Sequence, residues 1–272
     1  MSDFNPEASN EAAPPLTVEE AIAHLHGKDL SLRYYAAWWL GKFRISDPAV
    51  VDALIEALED EADRTELGGY PLRRNAARAL GKLGDQRAVP GLIRCLDCAD
   101  FYVREAAAQS LEMLGEPAAI APLMQLLASG VAAAERVPGR PHLQEPCEAV
   151  MEALGTLKAT EAIPLIQPFL ENPTKRVQYA AVRAMYQLTG DDGYGKRLVE
   201  ALQGSDVVLR RVALSDLGAI GYLPAAEAIA TASTENSFKL IALRGLLEQQ
   251  ISSDTKLSEG AIRVMNLMDA LL

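Results

Sequence analysis

Cysteine is scarce. The chain carries three, an odd number, so it has no disulfide framework and suits a reducing compartment, which we expect to be the cytoplasm. Positive charge is also in deficit. Twenty-six Lys and Arg face 37 Asp and Glu for a net charge of −11, which argues against nucleic acid as a partner. No run of 18 or more apolar residues occurs, so no membrane-spanning helix is expected. The opening stretch, MSDFNPEASNEAAPP, has neither a basic n-region nor an apolar h-region. It reads as a disordered tail over residues 1–15 rather than a secretory signal. Also missing are a glycine-rich phosphate loop, an HExxH, a GxSxG and any Ser/His/Asp ordering, so the common hydrolase and nucleotide-binding chemistries have no foothold.

What the chain does have is a repeat. From Gly69 to Leu96 it reads as helix, turn, helix. Pro71 suits a first helical turn, and Leu72, Ala76, Ala79, Leu80 and Leu83 recur at helical spacing. Gly84-Asp85 stops that helix, and Val89, Leu92, Ile93 and Leu96 line the next. Neither helix is long enough to stand alone in water, so the unit must stack on copies of itself. With Arg73 as marker, followed by a small residue three on and a large apolar one seven on, copies start at Arg33, Arg104, Gln178, Arg210 and Lys239, with a weaker one at Cys147. The steps are 40, 31, 43, 31, 32 and 29 residues. The fold class is therefore all-α: a superhelical α-solenoid of about seven HEAT-like helical pairs over residues 16–272, closed by a helix near 258–271.

Two repeats are long because of insertions at 59–70 and 129–141. Both join the first helix of a pair to the second, so both should emerge on one edge, where solenoids often bind. The helix after the second insertion is expected over 142–157. An acidic residue stands four before the marker in Asp29/Arg33, Asp100/Arg104, Asp206/Arg210 and Glu235/Lys239. It reads either as a helix N-cap with a charge ladder or as a row of arginines gripping a ligand's carboxylates.

The first repeat's LRYYAAWWLGKF breaks the pattern. Aligned on LRRNAARALGKL, it sets Leu32, Ala36, Trp39, Leu40 and Phe43 on core positions. Tyr34, Tyr35 and Trp38 fall on outward ones. These aromatics either form a binding face or pack under the N-terminal helix. Together with Arg33, Arg74 and Arg78, and with Tyr70, Asp63 and Glu66 from the acidic insertion, they could hold a flat conjugated ligand bearing carboxylates. In that scheme Arg33, Tyr34, Tyr35, Trp38, Tyr70, Arg74 and Arg78 bind, and Asp63 and Glu66 hold or protonate ring nitrogens. Cys95-Leu-Asp-Cys98 is a CxxC by spelling only, lacking a second pair for zinc. Cys147, five residues after His142, could form a nucleophilic pair with it but reads more simply as a buried thiol. His24 and His26 diverge on their helix, and no metal site is assigned.

The stretches LRYYAAWWLGKF (32–43), ALEDEADRTELGGYPLRRNAARALGKLGD (57–85) and FKLIALRGLLE (238–248) resemble the α-type subunits of the phycocyanobilin lyase family. VREAAAQSLEMLG (103–115) is similar to that family's HEAT-like repeat. The resemblance covers nearly everything from about residue 16. It implies a heterodimer with a second HEAT-like lyase subunit of the CpcF type. It also implies covalent attachment of phycocyanobilin, as a thioether, to a cysteine of the phycocyanin α-subunit. Phycocyanobilin would be substrate, with no cofactor. The attacking thiol would belong to the acceptor, in keeping with the lack of a nucleophile here. The competing expectation is a non-catalytic HEAT-repeat adaptor or chaperone that only grips a protein partner.

Overall fold

The computed structural model describes residues 16–251 and 257–272. The expected tail at 1–15 lies outside the described residues. Seven helical pairs follow one another: α1 (Val18–Leu25) with α2 (Leu30–Lys42), α3 (Pro48–Ala57) with α4 (Pro71–Leu83), and α5 (Val89–Cys95) with α6 (Phe101–Leu114). Then come α7 (Ile120–Leu126) with α8 (Cys147–Thr156), α9 (Ile163–Ile166) with α10 (Lys175–Thr189), α11 (Asp192–Ala201) with α12 (Val207–Ile220), and α13 (Ala226–Thr231) with α14 (Asn236–Gln250). The closing helix α15 (Glu259–Asp269) packs on α13 and α14 and covers the last repeat. Several first helices open with a 3₁₀ turn, at Gln86–Ala88, Pro117–Ala119, Thr160–Ala162 and Leu223–Ala225.

The second helices stack on one another from α2 to α14 more closely than the first helices do, so the solenoid curves toward them and they form its inner wall. Small residues permit that spacing. A Cβ on Gly41 would sit 2.8 Å from the Cα of Ala79, and one on Gly81 2.6 Å from Oγ of Ser110. The buried hydrophobics, mainly Leu, Ala and Val, form one continuous core along the chain.

The repeating acid and the repeating marker have separate structural tasks. Asp29, Asp100 and Asp206 are side-chain N-caps of α2, α6 and α12. The marker side chains satisfy carbonyls at the end of the preceding first helix: Arg33 at Leu25, Arg104 at Cys98, Gln178 at Leu170 and Arg210 at Gly204. The marker row is therefore turned into the fold, and the reading of it as a ligand-gripping arginine row is corrected. In the last repeat Glu235 instead pairs with Arg211.

Two further expectations are corrected. Leu32 and Phe43 are exposed and Trp39 is only half-buried, because α2 belongs to the first described repeat and no earlier repeat among the described residues covers it. And α8 begins at Cys147 rather than 142. Residues 135–145 instead form a small hairpin, with Arg136 bridged to Leu143, Val137 donating to the carbonyl of His142 and Gln144 to that of Glu135.

Candidate functional site

The two insertions do emerge on one edge, and they meet. Arg140 Nη2 on the hairpin reaches the Leu67 carbonyl on the first insertion at 3.5 Å. The first insertion is held against α6 by Asp100. Its Oδ1 caps the Tyr102 amide at 2.8 Å while its Oδ2 accepts the Tyr70 amide at 2.8 Å. One carboxylate thus starts a helix and fastens a loop 30 residues away.

Between the insertions lies a cleft of about 500 Å³, lined by Gly68, Tyr70, Arg74, Tyr102, Arg140 and His142 among others. A second cavity of about 340 Å³ continues along the inner wall past Glu105, Arg136, Glu148 and Arg176. Both are lined by Phe101, Tyr102, Pro141 and His142, so this aromatic corner is a shared wall. The His142 ring stacks on Phe101 at 4.6 Å between centroids, and Tyr102 meets it edge-on at 5.8 Å. Each cavity is of a size usual for a small-molecule site.

The charges are unusual for so acidic a chain. Among the described residues Arg74, Arg136 and Arg140 have no carboxylate partner; Arg74 lies 5.8 Å from the centre of the Tyr102 ring, and its Nε is buried without a hydrogen bond. Leaving such a donor unsatisfied costs about 1–3 kcal/mol unless something fills the place. Arg176 is paired, to Glu148 at 2.9 Å. On the same wall Glu105 has its carboxyl pushed up by burial, against the pull of Arg78 at 3.9 Å, so it takes up a proton more readily than a free glutamate. Basic groups, aromatic faces and a carboxyl of raised proton affinity are what a planar dianion with ring N–H groups would need.

The sequence-derived candidates divide. Arg74 lines the cleft, and Arg78 stands beside it through Glu105. Tyr70 lines it too but is buried, with its hydroxyl donating to Glu61 at 3.1 Å and Arg73 over its ring at 4.2 Å. Arg33 is committed to Asp60 at 2.6 Å and to the end of α1, and it lines neither cavity. Asp63 is buried and accepts the Leu72 amide at 2.6 Å, acting as a remote cap for α4. Burial raises its carboxyl, but it lines neither cavity. Glu66 is exposed on the loop and likewise lines neither. Tyr34, Tyr35 and Trp38 are exposed as expected, but Trp38 packs beside Tyr35 at 5.6 Å and the face borders neither cavity.

Sequence reasoning missed Phe101, Tyr102, Glu105, Arg136, Arg140 and Arg176. The available signal was Phe101-Tyr102 immediately after Asp100, at the marker register of the repeat between the two insertions. Cys147 is fully buried, and burial pushes its thiol up to about 12, which removes it as a nucleophile. Cys95 is likewise buried and pushed up to about 12. Among the described residues no cluster of His, Cys, Asp and Glu could hold a metal ion, and no helix is long and apolar enough to cross a membrane.

Deeper along the inner wall, Arg183 on α10 ties three neighbouring helices together. It meets Glu112 at 2.6 Å, Glu152 at 3.1 Å and Asp216 at 3.7 Å. Burial pushes Glu152 up to about 8 and Asp216 to about 6, since one cation cannot balance three carboxylates out of water.

Comparison with known proteins agrees along the whole chain. A family model described as HEAT repeats matches residues 70–136, and one described as the PBS lyase HEAT-like repeat matches residues 32–60 and 147–172. A phycocyanobilin lyase subunit alpha from Nostoc sp. is 69% identical over 265 residues, spanning 96% of each chain. One from Synechocystis sp. is 58% identical, spanning 95% of this chain and 97% of the relative. The bilin biosynthesis protein PecE of Nostoc sp. is 44% identical over 96% of this chain and 98% of its own. The solved complex of CpcE and CpcF of phycocyanin lyase from Nostoc sp. contains a chain that superposes with a TM-score of 0.91 at 68% identity, covering 99% of this chain and 100% of that one.

Proposed function

The chain belongs to the family of phycocyanobilin lyase alpha subunits, and from that premise we propose that its two adjoining cavities hold phycocyanobilin for transfer to an acceptor protein. The carrying observation is the set of arginines without carboxylate partners among the described residues, Arg74, Arg136 and Arg140, around an aromatic corner in a chain of net charge −11. A linear tetrapyrrole offers two propionates to those guanidiniums, a conjugated plane to Phe101, Tyr102 and His142, and ring N–H groups to Glu105. Holding it so fixes the reactive terminal ring and favours its protonated form, which lowers the barrier to thiol addition by orientation and electrostatics.

The enzyme is then a lyase that forms and breaks a thioether on a cysteine of the phycocyanin α-subunit. It works as a heterodimer with a CpcF-type subunit, as in the solved complex of its relative. Phycocyanobilin is substrate, and no resident cofactor enters the scheme. The nucleophile is the acceptor's, in agreement with the buried Cys147. The three free thiols suit the cytoplasm.

The test is co-expression of this chain with its second subunit, phycocyanobilin and the apo phycocyanin α-subunit, followed by zinc-enhanced fluorescence on a denaturing gel. Covalent labelling that depends on this chain is expected. Labelling that proceeds equally without it would overturn the lyase reading and leave an adaptor.

A further inference from the structure

We propose that His142 is the proton-transfer residue of the thiol addition, an inference that rests on the placement of the pigment given above. His142 sits on the wall between the two cavities and lines both. Its position is held from two sides. Phe101 stacks on one ring face at 4.6 Å, inclined by 13°, and Nδ1 lies 2.7 Å from the Leu143 carbonyl. An Nδ1 that donates to a carbonyl carries the proton in the neutral ring, which leaves the lone pair on Nε2. Nε2 is on the opposite edge of the imidazole from that carbonyl. Among the described residues it has no hydrogen-bond partner, and because the ring is only half-buried that nitrogen stays open to a group entering the cavities. The hairpin that carries His142 is also the segment that brings Arg140 to the cleft, so one short loop supplies both the base and one of the anion-binding groups.

The step balances without an oxidant or reductant. Nε2 takes the proton from the acceptor cysteine. The thiolate sulfur bonds to the exocyclic carbon of the double bond on the pigment's terminal ring, and that π pair shifts into the ring. The proton held on His142 is then delivered to the ring carbon, so S–H has added across C=C and the imidazole is neutral again. Run backwards, the same group removes the ring proton and returns it to the departing sulfur.

The experiment uses the intact heterodimer with His142→Ala or His142→Gln, free phycocyanobilin and the apo acceptor. Pigment binding is read from the visible absorbance change and thioether formation from the single-turnover rate. The expected result, read at saturating pigment so that any loss of affinity is separated from the step itself, is thioether formation slowed by at least about thirtyfold in both variants, a loss typical of removing a general base. Added imidazole is expected to restore the alanine variant by about tenfold and the glutamine variant not at all. A rate within about threefold of the parent, or a loss that imidazole does not relieve, overturns the proton-transfer role. Failure of the underlying placement shows separately, as undiminished pigment binding when Arg74 and Arg140 are both changed to Glu.

Discussion

The first repeat and the third both show aromatic residues on a second helix, yet only one of them makes a cavity. On α2, Tyr34, Tyr35 and Trp38 are between 38% and 45% exposed and lie on an open face. On α6, Phe101 and Tyr102 stand at the helix start, between two inserted loops that wall them in. The difference lies in the cover rather than in aromatic content. An insertion tied down by Asp100 and a hairpin folded over Phe101 convert a convergent pair of rings into a site, whereas among the described residues α2 has no preceding repeat and no loop above it. Binding capacity in this solenoid is made by the long connections, with the helices as footing.

The largest effect that could break this comparison is on pigment binding. Arg74→Glu with Arg140→Glu is expected to weaken phycocyanobilin binding to the heterodimer by about 100-fold, as the loss of two charge-assisted contacts implies. Tyr35→Ala with Trp38→Ala should change it by less than about threefold. Titration by visible absorbance reads both, and a reversed order would move the pigment to the open face of α2.

Stability separates the regions next. Phe101→Ala empties a packed corner and should cost about 3 kcal/mol in urea unfolding, whereas Trp38→Ala on an open surface should cost less than about 1 kcal/mol. Equal costs would mean that the α2 face is covered in solution.

A subtler contrast concerns charge. The first repeat holds a simple pair, Arg33 with Asp60, while the inner wall holds one arginine among three carboxylates. Glu152 binds its proton more tightly folded, at about 8 against an ordinary 4.5. The folded state therefore carries more protons between those values, and stability should fall as pH rises across that window; Asp216 contributes in the same sense up to about 6. Glu152→Gln is expected to flatten the decline, measured as unfolding free energy against pH. A slope unchanged by the substitution would place the titration elsewhere. The smallest expected effect is that of Cys147→Ala, which should leave pigment transfer within about twofold because a buried, protonated thiol attacks nothing.

The local sequence carried much of this. The marker spacing yields the pairs, and the 3, 4, 7 apolar pattern yields their buried faces, because a short amphipathic helix has no stable state except against its neighbours. Asp29, Asp100 and Asp206 were legible as caps, since a cap is a contact within three residues. Asp63 was not legible. It caps α4 from nine residues away, across a turn whose shape no spacing rule encodes. Leu32 and Phe43 misled for a related reason: the helical pattern marks a face as apolar but does not state whether a neighbour exists to cover it.

By itself, then, the sequence determined the all-α repeat, the number of its units, the position of its two long connections and its family, because each rests on short-range pattern. Only the tertiary structure decided where those connections land. The pairing of Gly68–Tyr70 with Arg140 and His142 and the stacking of His142 on Phe101 join residues 41 to 74 positions apart, and they leave the Nε of Arg74 buried without a partner. Such contacts follow from the curvature of stacked helices, which is a sum over every interface in the wall and is not written at any one position.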